Sequence, residues 1–194
     1  MNEKSFYDSI RLSLFKGKLK QSQVDGIAAI LAEWNKRQLT DLRWLAYIVA
    51  TVYHETAGTM QPIEEYGRGH NRTYGYKVKY SGKHYSSPDE VYYGRGHTQN
   101  TWYENYEMLT KEAKKAGHDW DFLNKPATLL QMHPSIWATF HCMLNGKYTG
   151  KKLSHYFNEV KNDPINARRI INGTDKAELI AGYYEKILHA LLTP

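Results

Sequence analysis

The sequence of 194 residues contains one cysteine, Cys142, and this excludes an intrachain disulfide. Cys142 lies among apolar neighbours in "SIWATFHCMLNG", so we interpret it as a buried structural thiol and not as a nucleophile. No apolar run reaches the roughly 20 residues that a membrane-spanning helix needs. The first 20 residues lack the apolar core and the cleavage site of a secretory signal peptide. We therefore expect a protein that is made in the cytoplasm and does not insert stably into a membrane.

Positive charge and aromatic side chains are plentiful. The formal net charge is +6 at pH 7, with lysine and arginine spread along the chain. This balance favours polyanionic surroundings such as nucleic acid, a cell wall or an anionic membrane surface, without choosing among them. The sixteen tyrosines and five tryptophans would suit a groove that binds sugars or bases, although composition alone favours ordinary core positions for many of them.

Helical periodicity recurs along the chain and is interrupted by one irregular stretch. Apolar spacing predicts helices over residues 22–36, 40–55, 101–117, 133–146 and 175–192. A further helix start is indicated by Asp163 and Pro164. Residues 57–94 have no periodicity, and only a strand-like piece around Val78 suggests a small hairpin there. The pattern predicts a mainly α fold.

Three carboxylates follow one another closely in "AYIVATVYHETAGTMQPIEEYGRG". Glu55 ends a helix that is apolar over most of its circumference, just before Gly58. Burial and the negative end of the helix dipole both favour the neutral form of a carboxyl group at that place, as a general acid requires. Glu64 and Glu65 follow in an irregular segment. One protonated and one ionised carboxyl group on opposite walls of a cleft can cleave a glycosidic bond.

A metal site is not indicated by the histidines. "HETAG" begins like the zinc-protease signature, but that signature needs a second histidine four residues after His54, where Gly58 stands. His70, His84 and His97 lie in the irregular region without ligand-like spacing. We predict no metal site.

A second motif is "YYGRGHTQNTWYENY", residues 92–106. Gly94 and Gly96 flank Arg95, which indicates a tight turn before a helix whose N-terminus carries polar side chains. The full Walker and dinucleotide-binding patterns are absent, so "GRG" resembles a phosphate loop only weakly. We expect Arg95 to pair with a buried carboxylate and brace the site.

Together these motifs resemble glycoside hydrolase family 19, the family of plant-type chitinases and phage endolysins. "HETAG" is similar to its His-Glu-x-x-Gly segment, which carries the general acid, here Glu55. "YYGRGHTQNTWYENY" resembles its Tyr-Tyr/Phe-Gly-Arg-Gly-Pro-x-Gln-x-Ser/Thr-x-Asn-Tyr-Asn-Tyr segment, and "RRIING" resembles its Ile-Ile-Asn-Gly element, which places Asn172 on a substrate-binding position. The similarity runs from about residue 40 to 185.

The resemblance implies a lysozyme-like, mainly α fold with two lobes, one of them a small irregular or β-hairpin lobe, and a central cleft. It implies one catalytic domain over residues 1–194, with an irregular insertion at about 58–95 and no separate wall-binding module. No metal or other cofactor is implied.

The resemblance also implies the roles of individual residues. A nine-residue spacing from Glu55 selects Glu64 as general base, and a ten-residue spacing selects Glu65. We assign the base to Glu64 and expect the other carboxylate to pair with Arg95 or another cation. Thr101 falls on the hydroxyl position that helps to hold the nucleophilic water. The substrate-binding positions are Glu65, Tyr93, Arg95, Gln99, Asn105 and Asn172.

Chitin and peptidoglycan share β-1,4-linked N-acetyl sugars, so the family mechanism, an inverting hydrolysis, fits both. We expect a phage or prophage endolysin, a monomeric muramidase that acts on peptidoglycan glycan strands and does not bind nucleic acid. It would reach the periplasm through a holin-type pore made by a separate protein. The alternatives are a chitinase and a non-catalytic module that binds cell wall or nucleic acid. The latter leaves the position of Glu55 unexplained.

Overall fold

The structure is a computed structural model that describes residues 2–76 and 91–193. The predicted hairpin around Val78 lies outside these residues. Within them the helices are α1 (Glu3–Ser13), α2 (Gln21–Lys36), α3 (Leu42–Glu55), α4 (Tyr103–Lys115), α5 (Met132–Asn145) and α6 (Ala177–Leu192). The strands are β1 (Ile63–Glu64), β2 (Arg95–Gly96), β3 (Phe157–Asn158) and β4 (Lys161–Asn162). The prediction of a mainly α fold is confirmed.

The chain divides into two compact units. The first consists of Met1–Met60 and Thr139–Pro194, and the second of Gln61–Ala138. In the first unit, α6 packs against both α1 and α3. The rings of Tyr47 and Tyr184 meet in this core with their centroids 6.1 Å apart.

Helix α3 is the most buried helix of the first unit, as its sequence predicted. Every residue from 45 to 52 is buried, and apolar side chains removed from water are the main favourable contribution to folding. The N-cap residue of the helix is Asp41, whose carboxylate accepts a hydrogen bond of 3.0 Å from the Arg43 backbone N–H. Arg43 also donates to the carbonyl oxygens of Asn158 and Lys161, and so attaches the β3–β4 hairpin to the start of α3.

The structure differs from the predicted helices at two places. Helix α1 was not predicted; its N-cap residue is Asn2, whose side chain accepts a hydrogen bond from the Ser5 N–H. The segment after Asp163 and Pro164, where we expected a helix to begin, forms a short 3₁₀ helix, Asn166–Ile170. The Asp163 carboxylate accepts a 3.0 Å hydrogen bond from the Asn166 N–H, although the residue that directly precedes this helix is Ile165 and not the predicted cap.

In the second unit, β1 and β2 pair antiparallel, with Ile63 opposite Gly96 and Glu64 opposite Arg95. The chain after β2 is held by Ser135, whose Oγ accepts a 2.8 Å hydrogen bond from the His97 backbone N–H. In the motif that residues 92–106 resemble, a proline stands where this chain has His97, and proline has no N–H to donate. The hydrogen bond to Ser135 is therefore possible because this chain has a histidine there.

Position 96 requires a glycine, both because of its backbone conformation and because neighbouring atoms leave no room for a side chain. Its φ is +86°, and an added Cβ would lie 2.7 Å from Ser135 Oγ and 3.1 Å from the Leu129 carbonyl oxygen. We expect Gly96→Ala to lower the free energy of unfolding by about 1–3 kcal/mol, measured by urea denaturation.

The matched control is Gly182→Ala, within α6. Among the described residues no heavy atom lies within 4 Å of the position that its Cβ would take. Alanine is the better helix former, so this change should raise the free energy of unfolding by about 0.5–1 kcal/mol. Equal effects of the two substitutions would contradict the account of Gly96.

Candidate active site

Glu55 is the last residue of α3, and the helix ends there for local reasons. The Thr56 N–H still bonds to the Val52 carbonyl oxygen, and the Gly58 N–H reaches back to the Tyr53 carbonyl oxygen at 2.7 Å. Gly58 has a φ of +75°, the left-handed conformation that glycine adopts without steric cost. The predicted stop after Glu55 is confirmed.

Arg168 binds Glu55, a contact that the sequence pattern did not predict. Its Nη1 donates to Glu55 Oε1, and its Nε donates to the Asp175 carbonyl oxygen at 3.0 Å. Only 5% of the Arg168 side chain and 13% of the Glu55 side chain are exposed. Burial lowers the pKa of the neighbouring His54, so its imidazole is neutral at pH 7.

Glu64 lies at the end of β1 and is held by three side chains of the second unit. Its Oε1 accepts a 2.7 Å hydrogen bond from the Tyr93 hydroxyl, and its Oε2 lies 2.8 Å from Arg68 Nη2. Arg95 Nε is 4.0 Å from Oε1. The Tyr93 hydrogen bond and the Arg68 guanidinium hold the pKa of Glu64 below its ordinary value. Glu64 is therefore an ionised carboxylate at neutral pH.

Glu65 has different partners. Its Oε1 accepts from the Tyr74 hydroxyl at 2.7 Å and its Oε2 from the Gly94 N–H at 3.0 Å. We expected the carboxylate that is not the base to pair with Arg95. The structure instead places Arg95 nearest to Glu64 and surrounds Glu65 with neutral donors. The reason is the β1–β2 register, which sets Glu64 opposite Arg95.

Arg95 is buried and braces the second unit. Its Nη1 donates to the Val91 carbonyl oxygen at 3.0 Å and to the Tyr106 hydroxyl at 3.1 Å. Its guanidinium lies over the Tyr93 ring, 3.6 Å from the centroid, where a cation is attracted to the ring face. Arg95 thus holds the tyrosine that binds Glu64, which agrees with the expected bracing role.

Gln99, Thr101 and Asn105 follow β2 and bond to nearby backbone. The Gln99 amide donates to the carbonyl oxygens of Ile63 and Gly96, both at 3.1 Å. The Thr101 hydroxyl donates to the Gln99 carbonyl oxygen at 2.9 Å, and the Asn105 amide donates to the Thr101 carbonyl oxygen at 2.7 Å. Because the hydroxyl hydrogen of Thr101 is used, its oxygen can accept a hydrogen bond from a water molecule.

Backbone strain accompanies this segment. Gln99 and Trp102 have φ of +49° and +77°, conformations that side chains other than glycine adopt at a cost of about 1–3 kcal/mol. Trp102 is kept in place by its N–H, which donates to the Tyr92 carbonyl oxygen at 2.8 Å. Such strain is common at ligand-binding sites.

The remaining predicted residue, Asn172, is exposed and lies one turn after Arg168. Its backbone N–H donates a hydrogen bond to the Arg168 carbonyl oxygen. The predicted residues thus fall into two groups. The first unit holds Glu55 and Asn172. The second unit holds Glu64, Glu65, Tyr93, Arg95, Gln99, Thr101 and Asn105.

Sequence reasoning missed Arg168 and Arg68. A buried carboxylate needs a cation, but nothing in the pattern said which one.

Among residues 2–76 and 91–193, no three His, Cys, Asp or Glu side chains are grouped so that they could ligate a metal ion. No helix there combines the length and the apolar character needed to cross a bilayer.

No protein-family model matches the chain, and no curated protein matches it significantly by sequence. A solved structure does match, that of chitinase C from Streptomyces griseus HUT6037. The TM-score is 0.57 and the sequence identity is 21%, over 97% of this chain and 76% of that one. At this identity the match establishes a shared, chitinase-like fold.

Proposed function

We propose that the protein is a glycoside hydrolase that cleaves β-1,4 bonds between N-acetyl sugars, with Glu55 as general acid and Glu64 as general base. The observation that carries the proposal is the state of Glu64. The Tyr93 hydroxyl and the Arg68 guanidinium keep its carboxyl group ionised at neutral pH, as a general base must be. The chitinase-like fold supports the same chemistry.

In this mechanism Glu64 removes a proton from a water molecule, which attacks the anomeric carbon. The Thr101 oxygen accepts the other hydrogen of that water and so orients it. Glu55 gives its proton to the departing glycosidic oxygen, and the configuration at the anomeric carbon inverts. Substrate contacts are assigned to Glu65, Tyr93, Gln99, Asn105 and Asn172, and the buried Arg95 acts indirectly by holding Tyr93.

Arg168 has a defined part in the step. Glu55 starts the reaction with a proton and ends it as a carboxylate. The buried Arg168 guanidinium on Oε1 stabilises the negative charge that develops there in the transition state. We assign proton donation to the other oxygen, Oε2.

The substrate that we propose is the glycan of bacterial peptidoglycan, which makes the protein a muramidase of the endolysin type. The positive net charge suits an anionic wall. The protein would be a monomer made in the cytoplasm of a bacterial host and delivered to the periplasm through a pore formed by another protein. Neither nucleic acid nor a stably bound membrane is a partner in this proposal.

Chitin hydrolysis is the second candidate. It is favoured by one observation, the match in fold to chitinase C. The two-carboxyl mechanism would be unchanged, because chitin has the same β-1,4 linkage between N-acetyl sugars.

Purified protein should be assayed on murein sacculi and on soluble chitin hexamer. We expect loss of turbidity, disaccharide muropeptides in the mass spectrum, and a first-formed α-anomer in the NMR spectrum, since inversion of a β bond gives it. Cut peptides on intact sugar chains, or 1,6-anhydro ends, would contradict the proposal. Hydrolysis of chitin alone would select the second candidate.

A further inference from the structure

A loop of exposed cationic side chains follows the two glutamates of the second unit. Residues 66–72, "YGRGHNR", which we call the arginine loop, come directly after Glu64 and Glu65. The exposed side chains of the loop are those of Tyr66, Arg68, His70, Asn71 and Arg72. Tyr66 is 82% exposed, so a large flat ring and two guanidinium groups face solvent together.

The backbone of the arginine loop is held in successive turns. The Arg68 N–H donates to the Glu65 carbonyl oxygen and the Arg72 N–H to the Gly69 carbonyl oxygen, both at 3.0 Å. Gly67, Arg68 and Gly69 all have positive φ, of +85°, +48° and +76°. For arginine this left-handed conformation is unfavourable, yet the turns maintain it. The loop therefore presents its arginines from a defined backbone.

The two arginines differ in their contacts. Arg68 Nη2 lies 2.8 Å from Glu64 Oε2, although 70% of the Arg68 side chain is exposed. Burial and the hydrogen bond to Glu65 raise the pKa of Tyr74 to about 12, and the charge of Arg72 opposes this rise. The charge of Arg72 therefore reaches Tyr74, and the Arg72 side chain is exposed.

We propose that Arg68 and Arg72 bind carboxylates of the peptides carried by peptidoglycan, and that the arginine loop thereby favours peptidoglycan over chitin. This inference rests on the proposed function and names its substrate. Chitin is a neutral polymer, whereas the peptides on peptidoglycan carry ionised carboxyl groups. Arginine binds a carboxylate through two parallel hydrogen bonds. Tyr66 offers its ring to the sugar or to the apolar part of the peptide.

Arg72→Gln tests the inference, because Arg72 does not contact Glu64. The substrates are murein sacculi, the same sacculi with their carboxyl groups amidated by carbodiimide and ammonium, and chitin hexamer. We expect the initial rate on native sacculi to fall about threefold, the size typical of an exposed ion pair. Rates on amidated sacculi and on chitin hexamer should not change. Arg72→Lys should recover most of the loss.

The matched control is Lys114→Gln, an exposed position on α4 that removes the same charge from the same unit. It should not alter the ratio of the rates on native and amidated sacculi. High salt should reduce the Arg72 effect, since exposed charges are screened. Equal losses on all three substrates would mean that Arg72 acts through Tyr74 and Glu65, and this would overturn the inference, as would an unchanged rate on native sacculi.

Pelleting with sacculi separates this inference from the proposed function. The wild-type protein should bind native sacculi better than amidated sacculi, and Arg72→Gln should abolish the difference. If the wild-type protein prefers native sacculi in this way but cleaves no substrate, the proposed hydrolysis is wrong and the proposed binding of peptide carboxylates is supported. If the protein cleaves sacculi but binds native and amidated sacculi equally, the proposed binding of peptide carboxylates is wrong and the proposed hydrolysis is supported.

Discussion

Glu55→Gln should reduce turnover by about 10²–10⁴-fold on whichever glycan the wild-type protein cleaves, which is the contribution expected of a general acid. Glutamine keeps the shape of the side chain and an oxygen that can accept from Arg168, but it has no proton to donate to the leaving group. Initial rates on sacculi and chitin hexamer measure the effect. The matched control is Glu178→Gln, an exposed position on α6 in the same unit, which should leave the rate unchanged.

The same substitution affects stability, and the two effects must be separated. Glutamine still accepts the hydrogen bond from the buried Arg168, but a neutral amide is a weaker acceptor for a guanidinium than a carboxylate is, and the difference is about 1 kcal/mol. Thermal unfolding should therefore shift to lower temperature, and rates should be compared below the transition. A folded Glu55→Gln protein with wild-type turnover would exclude Glu55 as the acid.

Glu64→Gln and Glu65→Gln, assayed side by side, should differ strongly. We expect Glu64→Gln to lose about 10²–10⁴-fold in turnover, because an amide cannot take the proton from water. Glu65→Gln should mainly lower stability, because the Glu65 carboxylate accepts hydrogen bonds from Tyr74 and the Gly94 N–H and so holds the chain around β2. The reverse result would assign the base to Glu65.

The pH profile provides an internal check on Glu64. Its pKa lies below the ordinary value of 4.5, so the base stays ionised until the pH falls through that lowered pKa. The acidic limb of kcat/KM should therefore lie below pH 4.5. Tyr93→Phe removes the hydroxyl that contributes most to this lowering, and the acidic limb should move to higher pH. A limb that stays in place would contradict the role given to Tyr93.

The local sequence pattern was enough to predict the secondary-structure elements on which the candidate catalytic residues lie. Apolar spacing predicted α3 and its burial, and Gly58 predicted where α3 ends, because helix termination depends on a few neighbouring residues. The glycines around Arg95 correctly indicated a turn before α4. Asp163 indicated a helix start nearby, but the helix that forms is a short 3₁₀ helix that begins after Ile165, since the extent of an element depends on what packs against it.

By itself, the sequence determined the mainly α character, the position of Glu55 at the end of a buried helix, and a carboxylate pair in the non-helical segment after it; the pairing of Glu64 in a strand was not predicted. Only the tertiary structure decided which cation or hydroxyl meets each carboxylate. Arg168 is 113 residues from Glu55, and Tyr93 is 29 residues from Glu64. Such pairs depend on how distant segments pack and on the β1–β2 register, whereas periodicity reports only on neighbours along the chain.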